Sequence, residues 1–171
     1  MPAEIINAIG IDPGLVHTGI VRLRITPGEH EVQIRTAVSQ HTGNQQAHAR
    51  TVKDALRVLQ DPIQVHSLFV EAYRPRGNNY GTDVPMRSLM NELRLTLPHA
   101  KVIDNTGSRR VVKPALLKLL GLTSFPTTHH QDLEAAARIL VYGMLKDDAL
   151  NEVLADIVYA RTSTDPYRVV A

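Results

Sequence analysis

Residues 5–14 of this 171-residue chain read Ile-Ile-Asn-Ala-Ile-Gly-Ile-Asp-Pro-Gly, and no other stretch limits the fold as tightly. Six of the first seven residues are apolar or Gly. The run is far short of the ~20 residues needed to span a bilayer and has the character of a strand covered on both faces. It stops at Asp12, and Pro13-Gly14 follows at once. Pro presets φ for a turn, and Gly accepts the positive φ that a type II turn needs next. The chain therefore ends a central buried strand on a carboxylate and bends sharply away. An anion at such an edge needs a cation or a proton.

The length suits one domain with a real core. There are no cysteines, which excludes disulfide and thiolate chemistry and fits an intracellular, cytoplasmic setting. The N-terminus lacks a basic region followed by an apolar one, so no signal peptide is expected, and no membrane partner. Formal charge is +2, but residues 74–118 hold nine Lys/Arg against three carboxylates, net +6, which leaves −4 for the remainder. A basic middle in a nearly neutral chain suggests a polyanion on one face.

Along the chain, alternation of Val21, Leu23 and Ile25 with Arg22 and Arg24 predicts a half-exposed strand over 18–25. A turn at Pro27-Gly28 and a second alternating run, Val32 to Val38, complete an antiparallel three-strand meander. A helix is expected over 45–59, with Pro62 beyond it, and a buried strand over 65–70 ending at Glu71. After a loop rich in Arg, Gly and Asn, Asp83 is placed to cap a helix with Pro85 in its first turn. Met86, Leu89, Met90, Leu93 and Leu97 form its apolar stripe. Residues 101–104 read as a fifth strand, 106–110 as loop, and 114–120 as a short helix closed by Gly121. Thr128 with Gln131 reads as a capping box opening a helix to about residue 146, and a last amphipathic piece carries Val153, Leu154, Ile157 and Val158. The order is that of an α/β domain with a mixed sheet.

Asp12 and Glu71 each end a buried strand, while His129 and Asp132 sit three apart on one face of a helix start. If the strands are neighbours and the helix packs on them, four ligand-type side chains meet at one sheet edge. An oxygen-rich site with one imidazole suits Mg²⁺ or Mn²⁺ rather than a closed zinc site. Each residue also has an ordinary role open to it, as turn former, strand end or helix-start anion.

Ile9-Gly10-Ile11-Asp12-Pro13-Gly14 with Thr18-Gly19 resembles the first motif of RuvC-type Holliday junction resolvases, in the RNase H-like/retroviral-integrase superfamily. Phe69-Val70-Glu71 resembles the family's strand-ending glutamate motif, and His129-x-x-Asp132 before an Ala-rich helix its C-terminal acidic motif. The match runs over about residues 5–145 and is similar to divergent, phage-type members. The resemblance implies an RNase H-like mixed five-stranded sheet, the first three strands antiparallel and the rest parallel, flanked by helices. It implies a nuclease domain over 1–147; residues 148–171, which the resemblance does not cover, are expected as a helical segment and tail packed on the same domain. It further implies a metal-dependent, structure-selective endonuclease acting on four-way junctions and other branched DNA in a bacterial cell.

In that light Asp12, Glu71, His129 and Asp132 are the catalytic, metal-binding set for two Mg²⁺ (or Mn²⁺) ions, with Asp12 between the ions. His129 is either a ligand or a proton carrier. Arg74, Arg76, Arg109, Arg110, Lys113 and Lys118 are candidates for phosphate contacts, and Tyr73 or Tyr80 for stacking on an exposed base. The family's two-fold dimer makes Met86, Leu89, Met90 and Leu93 candidate interface residues, although the same stripe suits an ordinary core. Two other readings remain open here: a DNA-binding module that cuts poorly, and an actin/sugar-kinase-like phosphotransferase, which normally needs a longer chain.

Overall fold

A computed structural model describes residues 5–26, 30–41, 43–60, 67–75 and 80–163, with the side chains of Gln60 and Tyr80 left aside. Five strands, β1 (Ile6–Asp12), β2 (His17–Thr26), β3 (Glu31–Gln40), β4 (Ser67–Glu71) and β5 (Lys101–Ile103), form one sheet in the order β3-β2-β1-β4-β5. The first three are antiparallel neighbours, and β4 and β5 join parallel to β1 and to each other. The mixed sheet is therefore as the sequence predicts, with β1 at its centre.

Six helices complete the order: α1 (Gln45–Gln60), α2 (Tyr80–Thr96), α3 (Ser108–Val111), α4 (Pro114–Leu119), α5 (His130–Leu145) and α6 (Asp148–Thr162). Strand side chains alternate between the two faces, and the two cores follow that alternation. Ile9, Ile11, Ile20 and Val70 pack with Val52 and Leu56 of α1 and Leu89 and Leu93 of α2. Ala8, Val21, Leu23 and Phe69 pack on the opposite face with Leu133, Ala136 and Leu140 of α5. Leu150, Leu154 and Ile157 of α6 join that second core. No helix among the described residues is long and apolar enough to cross a membrane.

Several local expectations are corrected. Arg22 is buried rather than half-exposed, at 3%. Its guanidinium donates to Asn7 Oδ1 and to the Leu59 carbonyl, so a cation meets the exposed carbonyls at the α1 C-terminus. The 106–110 stretch contains the short helix α3. Asp83 lies inside α2, which starts earlier, and its buried carboxylate accepts a hydrogen bond from the Tyr73 hydroxyl. The capping box does not form: His129 is the N-cap of α5 and no side chain caps that end.

Met86, Leu89, Met90 and Leu93 are no more than 7% exposed. They fill the chain's own core, the ordinary role that the same stripe allows. An apolar stripe marks a face that must be covered, and here α1 and the sheet cover it.

Candidate active site

Alternation along the strands also fixes where the chemistry points. Ala8 and Gly10 face α5, so Asp12, two residues on, emerges on the same side at the strand end. Phe69 faces α5, so Glu71 does too. The parallel register pairs Ile11 with Val70, which puts Asp12 and Glu71 side by side one residue further along. The Glu71 carboxyl is in hydrogen-bond contact with that of Asp12. Its Oε1 also accepts from Asn105 Nδ2 at 2.5 Å, and Asn105 accepts from Ser108 of α3. The loop after β5 thus holds the glutamate.

The third carboxylate arrives because α5 lies directly on the sheet. Two strand glycines allow this. A Cβ at Gly10 would stand 2.3 Å from the Ala136 carbonyl oxygen, and one at Gly19 would stand 2.3 Å from that of Asp132. Gly19 is the antiparallel partner of Asp12, so the first turn of α5 is laid beside the Asp12 strand end. Gly14 serves differently from expectation. It does not take positive φ; a Cβ there would collide with the His17 carbonyl oxygen at 2.2 Å, so Gly permits a tight return of the chain into β2.

Burial, the Glu71 carboxyl and the Asp132 charge together push the Asp12 carboxyl from 3.8 up to about 9. Three acids crowded at a half-buried edge cannot all ionise without cations. His129 Nδ1 is 3.6 Å from Asp132 Oδ2. These two residues gather with a third that the sequence reading missed, His17, and the ligand atoms of all three lie within 4.8 Å of one another. The signal for His17 was there: residues 13–18 must turn the chain from Asp12 back to its partner Gly19, so any ligand among them stays near the site.

A cavity of about 590 Å³ opens beside Asp12 and Glu71, walled by Tyr73, Arg74, Met86 and Asn105. Arg74 pairs with Asp104 at the surface. Hydrogen bonds from the Thr106 amide and hydroxyl, then Arg74, hold the Asp104 carboxyl below the usual range. Tyr73 is partly buried against the α1/α2 core, its hydroxyl directed to Asp83. Arg109, Arg110, Lys113 and Lys118 are exposed. Arg76 lies outside the described residues, as does the Tyr80 side chain.

No protein-family model and no curated protein matches this sequence. Solved structures do match. The T. thermophilus RuvC in complex with a Holliday junction substrate aligns at 14% identity and TM-score 0.57, over 93% of this chain and 97% of that one. The Thermus thermophilus RuvC structure aligns at the same identity and TM-score, over 93% and 98%. The large terminase nuclease from thermophilic phage G20c aligns more loosely, at 9% identity and TM-score 0.43, over 81% and 82%. The fold of this chain is the RuvC-like, RNase H-like fold.

Proposed function

We propose that this chain is a metal-dependent endonuclease that cleaves branched DNA, four-way junctions foremost, by phosphodiester hydrolysis. The observation that carries the reading is the convergence of Asp12, Glu71 and Asp132, from two strand ends and a helix start, at one edge of a RuvC-like sheet. The likeness to a RuvC solved with a Holliday junction substrate supports the choice of DNA.

Three carboxylates with imidazole fit two hard divalent cations, Mg²⁺ or Mn²⁺. Such ions, when bound, lower the pKa of an attacking water and offset charge on the leaving oxygen. Asp12 has the central place, between Glu71 on one side and Asp132 with His129 on the other. Asn105 orients Glu71. Arg109, Arg110, Lys113 and Lys118 are free to grip phosphates, and the cavity at Asp12 has room for the scissile region of one strand. Arg74 contributes once it leaves Asp104.

Paired cuts in a four-way junction need two such sites, which a symmetric dimer supplies. With the inner stripe of α2 buried, the dimer face is its outer side, where Val84 and Leu95 are 64% and 77% exposed. They are eleven residues apart, about three turns, and so share a face.

The test is cleavage of synthetic four-way junctions, forks, flaps and plain duplex, with and without Mg²⁺ or Mn²⁺. Metal-dependent cutting of junctions ahead of duplex is the expected result. Equal cutting of all four would remove junction selectivity, and no cutting with any ion would leave a DNA-binding module.

A further inference from the structure

The two sides of the candidate centre differ in their donors. Asp12 and Glu71 offer oxygen alone, whereas His17, His129 and Asp132 offer two imidazoles and one carboxylate. We propose that this second group is a ligand set selective for a transition-metal ion of the Mn²⁺, Co²⁺ or Zn²⁺ class over Mg²⁺, so that the two cation positions are unlike. The use of the ion in DNA cleavage rests on the nuclease reading; the ligand set itself does not.

The cluster is built by tertiary structure. His17 is the first residue of β2 and, like Gly19, lies on the side facing α5. His129 is the N-cap of α5, and Asp132 is in its first turn. The direct contact between Gly19 and the Asp132 backbone fixes β2 against α5, and with it the spacing of the three side chains. The His17 and His129 rings have centroids 4.2 Å apart at an interplanar angle of 50°. All three residues are half-buried, so a route from solvent exists.

Donors bound to one ion at about 2.0–2.2 Å stand about 3–3.5 Å apart, so the group must contract by about 1 Å, within the reach of side-chain rotation. His129 and Asp132 are nearly there. Neutral imidazole is the form that binds metal. It suits first-row transition ions, whereas Mg²⁺ prefers oxygen and holds its water.

The experiment uses the full chain without DNA. Calorimetric titrations with Zn²⁺, Mn²⁺ and Mg²⁺ compare wild type with His17→Ala, His17→Asn and Asp12→Asn, and pulsed EPR of bound Mn²⁺ detects coupled imidazole nitrogen. Both His17 variants should lose at least about tenfold in Zn²⁺ affinity. Both should also lose part of the nitrogen coupling and keep their Mg²⁺ affinity. Unchanged Zn²⁺ affinity and nitrogen coupling in a folded His17 variant would overturn the proposal, as would an equal loss for Mg²⁺. His17→Asn is included in case the Ala variant folds poorly. If His17-dependent Zn²⁺ binding is found while the wild type cuts no DNA with any ion, the nuclease reading fails and the metal site stands. If cutting requires Asp12 while Zn²⁺ binding ignores His17, the metal inference alone fails.

Discussion

Gly19 lies against the backbone of Asp132, so close that a Cβ on Gly19 would stand 2.3 Å from the Asp132 carbonyl oxygen. Because Gly19 also pairs with Asp12 across the hairpin, this contact sets the separation of two candidate ligands. Gly19→Ala should push the start of α5 off the sheet. Overpacking of this kind costs about 1–3 kcal/mol, and a 1 Å misplacement at a reacting centre can cost about 100-fold in rate. Thermal melts and single-turnover cleavage should therefore show modest destabilisation with a disproportionate loss of rate.

Asp12→Asn keeps the shape of the side chain and removes a charge. Cleavage should fall by several orders of magnitude while junction binding survives. Stability without metal should move the other way. The folded Asp12 carboxyl sits at about 9 against 3.8 in the unfolded chain. Its contribution is fully present below the unfolded value and is lost as pH rises toward the folded one. At pH 8 the fold must hold Asp12 as the protonated acid, taking up a proton that the unfolded chain has released, a cost that Asn lacks. Metal-free Asp12→Asn should melt several degrees higher, at about 2–4 °C per kcal/mol. The gap should close near pH 4 and on adding Mn²⁺ to the wild type. A lower melting temperature for Asn at pH 8 would contradict the crowding of the three acids.

His48 is wholly buried, accepts or donates at Thr18 Oγ1 over 3.1 Å, and meets His41 at 2.9 Å. Burial first, then His41 and His17, hold its pKa below the usual histidine range. A depressed histidine contributes stability above the unfolded value of about 6.5, and loses it as pH falls through the folded one. Wild type should therefore lose melting temperature between pH 7.5 and 5 more steeply than His48→Gln. Parallel pH profiles for the two proteins would show that His48 takes a proton freely in the fold.

Arg109 and Arg110 sit on α3, next to the loop that orients Glu71. Replacing both by Ala should remove about two phosphate contacts and lower the slope of log K against log salt by about 2. The loss should be uniform across sequences, because backbone contacts carry no base information. Salt titrations on junction and duplex measure it. An unchanged slope would take α3 out of the DNA interface.

The two faces of α2 should respond differently to charge. Leu95 is 77% exposed and Leu89 is fully buried. Leu95→Glu should give a folded protein that sediments as a monomer, while Leu89→Glu should fail to fold, since an unpaired carboxylate would enter the core. A folded Leu95→Glu dimer would place the partner surface elsewhere.

What the sequence determined by itself was local and periodic. An apolar run ending in Asp12, a second ending in Glu71 and alternating strands between them were enough for the mixed sheet and for two of its carboxylates. His129 and Asp132, three apart at the start of an apolar helix, were readable as a pair for the same reason. Period and punctuation are properties of neighbouring residues, and the chain carries them without reference to its fold. Tertiary structure decided which faces meet. Strand order makes Asp12 and Glu71 neighbours, and small residues at Gly10 and Gly19 let α5 descend onto that edge. The same packing brings His17 to His129, covers the Met86–Leu93 stripe with α1, and buries Arg22 beneath a helix end. Each of those depends on contacts between segments far apart in the chain, and an apolar or basic side chain looks the same in sequence whatever eventually covers it.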